Sequence, residues 1–350
     1  MPLVKQALDS GNMIDLLLDF PLQLPAAIQL GQTVKLSSEK GEIEKIVFVG
    51  VGGSAIGARV IKAYLYAHCK IPVIVCAEYE LPAFVDAKTL VFISSYSGNT
   101  EETLSGYQQA RAKGAFIVVI TSNGALAQKA SADNQALVII PGGLPARAAL
   151  GYLAIIPLLL LSRLGIISDI QQEVLRTQAM LDDLKKNHLH PRIGLQENIA
   201  KNTARRLKGK IALIYASSIP FDVCAMRLRN QINENAKSLA WSNVFPEMNH
   251  NEIMGWQNPS RVLKHLAVVM LRDNFVHPRV AKRMDITKEM LKEAGAHVQE
   301  IWSHGELLLE RIFSLIYIGD FISYYLALHY NVDPTAVDNI QFIKNKLAKG

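Results

Sequence analysis

The sequence predicts an α/β protein made of two parallel-sheet domains of related topology. Short apolar runs alternate with amphipathic segments along most of the chain. The same alternation starts afresh in the second half, and a polar, helix-prone stretch separates the two halves. Parallel strands need crossover helices, which cover both faces of the sheet, so buried strands read as continuous apolar runs.

In the first half, residues 46–49 form the first strand, followed by a glycine-rich turn and a helix near 55–67. Further strands are expected at 72–77, 90–93, 115–120 and 136–140. A helix through Arg111 follows the third strand, a short helix follows the fourth, and a long apolar helix starts at Ala146. The second half repeats the pattern, with strands at 211–216, 240–244, 266–271 and 297–301. Helices are expected at 221–236, 278–294, 306–328 and 335–347. Residues 168–208 are polar and helix-prone, with H-L-H-P-R at 188–192 as a break. These features divide the chain into an N-terminal domain (1–165), a helical linker (166–208) and a C-terminal domain (209–350).

At 350 residues, 50% hydrophobic and 19% charged, the chain has ample apolar material for two cores. The net charge of +6 is dispersed. The one locally basic stretch, K-N-T-A-R-R-L-K-G-K at 201–210, reads as a solvated helix face in preference to a nucleic-acid patch, so no nucleic-acid partner is expected. Cys69, Cys76 and Cys224 form no C-x-x-C pair, which fits a reducing compartment. The N-terminus lacks a signal-peptide apolar core. The longest apolar run, 148–161, is 14 residues and contains Pro157. That is short of the roughly 20 residues needed to span a bilayer, so it reads as a buried helix. A soluble, cytoplasmic protein with no membrane partner is expected.

The most informative stretch is S-S-Y-S-G-N-T-E-E-T at 94–103, between a strand and a helix. It gathers the hydroxyls of Ser94, Ser95, Ser97 and Thr100 with one glycine at a strand-to-helix turn. Free backbone N–H groups and the positive end of a helix dipole meet there and favour an anion, above all a phosphate. No lysine follows the glycine as it would in a nucleotide-binding P-loop. A compact phosphate monoester, such as a sugar phosphate, fits better.

Residues 50–57 read G-V-G-G-S-A-I-G after the first strand. The spacing imitates a dinucleotide fingerprint but misses G-x-G-x-x-G, and the nearest downstream acid is Glu78. Three readings stand: a dinucleotide turn, a turn without ligand, or close backbone approach to a sugar phosphate with Gly53 and Ser54 as donors. The companion Ser/Thr loop favours the last.

Residues 141–152, P-G-G-L-P-A-R-A-A-L-G-Y, place Arg147 at the start of a very apolar helix. It reads as a surface residue, or as a cation that meets an anion, because beside an apolar face an unpaired charge is costly. In R-L-R-N-Q-I-N-E-N-A-K at 227–237, Glu234 stands between asparagines near a helix end and by default is a surface carboxylate. In P-E-M-N-H-N-E-I-M-G-W at 246–256, His250 lies near Glu247 and Glu252. No second histidine stands at ligand spacing, so no metal is expected.

These motifs together resemble a known family. The S-S-Y-S-G-N-T-E-E-T loop and the tandem α/β pattern resemble the sugar-isomerase (SIS) fold. The combination of G-V-G-G-S-A-I-G, S-Y-S-G-N-T, P-A-R-A-A-L-G-Y, N-E-N-A-K and N-H-N-E-I-x-G-W is similar to the bifunctional phosphoglucose/phosphomannose isomerases, from about Gly50 to the C-terminal helix. The family often has P-R where this chain has Pro145, Ala146 and Arg147, and proline where Ala336 stands.

The resemblance implies two SIS-type, flavodoxin-like three-layer αβα domains with parallel sheets. It implies that Gly53, Ser54, Ser95, Ser97 and Thr100 hold the phosphate of a hexose 6-phosphate. Arg147 would sit near C1 and C2 of the sugar, and Glu234 would be the catalytic base. His250 would open the sugar ring and would come from the partner subunit of a homodimer. Lys344, in D-P-T-A-V-D-N-I-Q-F-I-K, would match a C-terminal lysine near the ring oxygen, with Thr335 as the other candidate lining the pocket.

The residue types suit aldose–ketose isomerisation. Histidine carries a proton either way near neutrality. One carboxylate can move a proton from C2 to C1 on one face of a cis-enediol. A fixed cation stabilises the negative charge that grows on the enediol oxygens. Neither metal nor organic cofactor is required. The alternative is a non-catalytic SIS regulator, which usually carries a DNA-binding or partner domain; an amidotransferase-type synthase would need an N-terminal glutaminase domain.

Overall fold

The apolar runs resolve into two separate parallel sheets in the computed structural model, which describes residues 8–36 and 42–347. The chain clusters into two units. One comprises Asp19–Ala179; the other joins Met1–Leu18 to Met180–Gly350.

The Asp19–Ala179 unit holds a five-stranded sheet of β1 (Lys45–Val49), β2 (Val73–Cys76), β3 (Thr89–Ser94), β4 (Phe116–Thr121) and β5 (Ala136–Ile139). Its order is β2-β1-β3-β4-β5 and every pair is parallel. Val47, Val49, Val91, Ile93, Ile117 and Val119 pack with Tyr107, Ala110, Leu126 and Ala130 on one face. The alternate residues Ile46, Phe48, Leu90, Phe92, Val118 and Ile120 are buried on the other face. A side-chain period of two with both faces covered produces the unbroken apolar runs of the sequence. Phe48 and Phe92 stack at 4.8 Å between adjacent strands.

The second unit holds β6 (Ile211–Ser217), β7 (Ala240–Phe245), β8 (Leu266–Arg272) and β9 (His297–Trp302). Their order, β7-β6-β8-β9, repeats that of the first four strands and is again all parallel. The two units are therefore parallel sheets of one topology, and each reverses its strand order beside its first strand. In such sheets ligands bind beyond the carboxyl ends of the strands at that reversal.

The helices follow the sequence with small shifts. In the first unit they are α2 (Gln23–Thr33), α3 (Gly53–Leu65), α4 (Glu101–Ala112), α5 (Gly124–Ala132) and α6 (Leu150–Arg163). In α6 every residue from Leu150 to Leu161 is buried, Pro157 included. Arg147 is not part of that helix, as the sequence had suggested. It sits in a separate 3-10 turn, Ala146–Ala148. In the linker stretch, α7 (Gln171–Leu184) runs into a π-turn, Lys185–Leu189, before α8 (Ile199–Leu207). The second unit continues with α9 (Asp222–Ala236), α10 (Pro278–Glu293), α11 (Leu308–Tyr330) and α12 (Asp338–Leu347).

Sequence reading assigned no element before the first strand. The structure forms α1 (Met13–Asp19), a 3-10 turn at Phe20–Leu22 and α2 there. Met13–Thr33 and Leu308–Tyr330 are each long and apolar enough to cross a bilayer by length and composition. The apolar window of Leu308–Tyr330 is, however, 89% buried in protein, as a core helix is.

Candidate active site

The carboxyl end of the first sheet builds a hydroxyl-lined turn from residues the sequence had singled out. Gly52, with φ at +58°, turns the chain from β1 into α3. A Cβ at Gly53 would lie 2.9 Å from the Ala146 carbonyl carbon and the Arg147 nitrogen. The glycine therefore lets the Arg147 turn pass against the first turn of α3. Arg147 is 6% exposed. Its reading as a surface cation fails, because the 3-10 turn folds it inward against α3.

The second loop leads from β3 into α4. Gly98, at φ +68°, is bound to remain glycine, since a Cβ there would fall 1.7 Å from the Asn123 carbonyl oxygen. Ser95 is buried, accepts from Gly98 N (3.1 Å) and donates its own hydroxyl to Thr100 Oγ1 (3.0 Å). With its lone pair so engaged, the Thr100 hydroxyl keeps its proton for an incoming acceptor. Ser97 is exposed, and Thr100 immediately precedes α4. Tyr96 N donates to Ser54 Oγ (3.3 Å), so the two loops are joined and the first turns of α3 and α4 lie at neighbouring strand ends. Two helix N-termini, their unpaired N–H groups and several hydroxyls form a cradle suited to a dianionic phosphate.

Glu234, His250 and Lys344 lie in the other unit. Glu234 is half-buried on the last turn of α9, and its neighbours fasten that turn at three points. Asn233 Oδ1 accepts from Ala240 N at the start of β7 (3.0 Å). Asn235 Nδ2 donates to Ser323 Oγ on α11 (2.9 Å). Lys237, in the left-handed region at φ +52°, donates from Nζ to the carbonyls of Glu234 (2.9 Å), Asn235 (3.3 Å) and Asp333. A lysine at a helix C-terminus satisfies carbonyls that have no intrahelical partner and complements the dipole.

One turn earlier, the same face of α9 is locked to α11. Arg227 holds Asp320 with both ends of its guanidinium (2.9 and 2.7 Å), and Gln231 Nε2 adds a third bond (3.1 Å). Residues 227, 231 and 235 recur every four positions, which puts them on one helix face. Leu228 packs at 3.4 Å from the position of a Gly319 Cβ, so the helices approach closely.

His250 is exposed at the end of a 3-10 turn, Glu247–His250. The carboxylates that looked able to join it in a metal site are otherwise employed. Glu252 accepts from the Tyr215 hydroxyl and from Asn243 Nδ2 (2.6 Å), and Glu247 accepts from Asn251 (2.9 Å). Asn249 donates to Thr287 Oγ1 on α10 (2.8 Å). The loop is thus pinned on both sides of the histidine. Among the described residues no cluster of three His, Cys, Asp or Glu side chains could hold a metal. Lys344 is exposed on α12, which buries none of its residues. Thr335 follows the Asp333 turn, whose carboxylate accepts from Thr335 N (2.8 Å).

Comparison with known proteins assigns the family. The SIS domain pattern matches residues 42–142, and the pattern of the bacterial phospho-glucose isomerase C-terminal SIS domain matches residues 196–347. A bifunctional phosphoglucose/phosphomannose isomerase of Caldicellulosiruptor bescii is 45% identical over 96% of this chain and 99% of its own. The chain belongs to the bifunctional phosphoglucose/phosphomannose isomerase family. A second member, from Aquifex aeolicus, is 37% identical over 87% of this chain and 90% of its own. The fold is shared with a hypothetical protein of Thermus thermophilus, at TM-score 0.74 and 17% identity, over 95% of this chain and 89% of that one.

Within this isomerase family chain, sequence reading missed Tyr96, Asn233, Asn235 and Lys237. All but Tyr96 stand in the N-E-N-A-K motif, where Asn233 and Lys237 bond backbone groups and Asn235 bonds the Ser323 hydroxyl. The density of asparagine and lysine at one helix end was the available signal.

Proposed function

We propose that the protein is an aldose–ketose isomerase that interconverts glucose 6-phosphate, and mannose 6-phosphate, with fructose 6-phosphate through a cis-enediol. Gly53, Ser54, Ser95, Ser97 and Thr100 hold the phosphate, and that remote binding energy orients C1 and C2. Glu234 takes the C2 proton and returns it to C1. Arg147 stabilises the enediolate charge. His250 of the partner subunit opens the ring, and Lys344 or Thr335 lies near the ring oxygen. The enzyme works in the cytoplasm as a homodimer with a shared site and binds neither nucleic acid nor membrane. Every step moves protons within one substrate, so the chemistry calls for no metal or organic cofactor.

The observation that best supports this reading is the fastening of the Glu234 turn at Asn233, Asn235 and Lys237. A proton shuttle between adjacent carbons needs a carboxylate held in one place, and a surface carboxylate does not. The test is a coupled assay with glucose 6-phosphate and mannose 6-phosphate on wild type and Glu234→Gln. Turnover by wild type and loss of at least about a thousandfold in kcat by the variant are expected. Binding without turnover would identify a sugar-phosphate sensor instead. Mixing Glu234→Gln with His250→Ala should restore part of the activity in hybrid dimers; no rescue after proven subunit exchange would refute the shared site.

A further inference from the structure

Tyr96 bonds to several of the loops at the carboxyl end of the first sheet. Its backbone N–H donates to Ser54 Oγ beyond β1 (3.3 Å). Its carbonyl accepts from both the N–H and the hydroxyl of Ser122 beyond β4 (3.1 and 2.6 Å). Its phenol reaches beyond β5, where it donates to the Pro141 carbonyl (2.9 Å) and accepts from Leu144 N (2.8 Å). Tyr96 itself follows β3, so it joins the loops of four adjacent strands.

The phenol closes a specific span. Pro141 and Leu144 bracket Gly142 and Gly143; Gly143 has φ +85°, and a Cβ on either glycine would meet nothing within 4 Å. That turn is open on its outer side and conformationally permissive. Three residues beyond Leu144 the chain reaches Arg147, whose backbone nitrogen lies against Gly53. The phenol therefore sets where the glycine turn ends and where the Arg147 turn begins.

We propose that Tyr96 is a positioning residue whose hydroxyl, by clasping Pro141 and Leu144, holds Arg147 where charge develops in the reaction. The proposal rests on the role assigned to Arg147 above. It separates two contributions of the S-S-Y-S-G-N-T loop: its serines and threonine face the phosphate, and its tyrosine places the cation for the reacting carbons.

Tyr96→Phe tests this, because it keeps the ring and all backbone bonds and deletes only the clasp. Amide hydrogen exchange should quicken from Gly142 to Arg147, and kcat should fall about tenfold with KM within about twofold, the scale of one or two net hydrogen bonds. In an Arg147→Gln background the same substitution should cost little more, since the group it positions is gone. Unchanged exchange in the 142–147 turn overturns the proposal, as do additive losses in the double variant or a change confined to KM. An Arg147→Gln variant with wild-type kcat overturns it too. In that case faster exchange in Tyr96→Phe would still show the clasp, so a failure of the Arg147 assignment is told apart from a failure of the clasp.

Discussion

The Lys237 ammonium lies 2.9 Å from the carbonyl oxygen of Glu234 and also binds the carbonyls of Asn235 and Asp333. One side chain thus closes the helix that carries the proposed base and ties it to the Asp333 turn. Lys237→Met keeps the aliphatic stem and removes the donor. Steady-state kinetics should show kcat reduced about tenfold with KM little changed, because the Glu234 carboxylate is displaced and the hydroxyl-lined turn proposed to hold the phosphate is not. A variant with wild-type kcat would show that the last turn of α9 holds its shape without the lysine.

Gly98 is confined by its left-handed backbone and by the Asn123 carbonyl 1.7 Å from any added Cβ. Gly98→Ala should destabilise the protein by more than the roughly 1–2 kcal/mol that left-handed backbone alone costs, read by urea denaturation. It should also raise KM for the sugar phosphate, because Ser97 and Thr100 stand on the displaced turn. Substitution at Gly142, where a Cβ meets nothing, should leave both quantities near wild type.

Asp320 is almost fully buried and accepts three hydrogen bonds from Arg227 and Gln231. Asp320→Ala leaves the guanidinium buried without its counter-charge and should cost about 3–5 kcal/mol by denaturant unfolding. Removing both partners in an Arg227→Met/Asp320→Leu double variant should recover most of that loss. Equal destabilisation of single and double variants would argue that apolar packing, and not the pair, dominates this contact.

Burial holds the His304 imidazole below its ordinary pKa of 6.5, and the neighbouring His188 ring adds to the shift, with Asp183 opposing it. His188 and His304 face each other at 6.2 Å between ring centres. The unfolded chain takes a proton near pH 6.5, whereas the folded chain takes it only at lower pH. Between those values the unfolded state binds more protons, so stability is intact above pH 6.5 and is lost as pH falls through the window. His304→Gln should shrink the drop in Tm between about pH 7.5 and pH 5.5 relative to wild type. An equal drop in both proteins would move the acid sensitivity elsewhere.

Much of the fold was legible because both faces of each sheet are covered. Strand runs such as 90–93 carry no polar interruption, and the structure extends them by only a residue or so at either end. The segment before β1 was not legible: Pro21 and Pro25 interrupt an apolar helix pattern, and α1 and α2 form on either side of a 3-10 turn. At the candidate site, the strand-to-helix turn that carries Ser95, Ser97 and Thr100 could be read from the local sequence. Tyr96 could not, because its partners at Pro141 and Leu144 lie more than 40 positions away and become neighbours only when β1, β3, β4 and β5 align. Arg147 was placed on the wrong side of a helix start for a related reason, since the 3-10 turn depends on Gly53 making room for it.

The polar stripe between α9 and α11 acts as a vernier for the proposed base. Arg227, Gln231 and Asn235 meet Asp320 and Ser323 in one register only, so neither helix can slide or roll by a turn without abandoning several bonds at once. Apolar residues of equal volume would hold the helices together just as firmly, but would tolerate such slippage. Drift in substrate preference is therefore expected to arise in the surrounding loops, while the point from which Glu234 projects stays fixed.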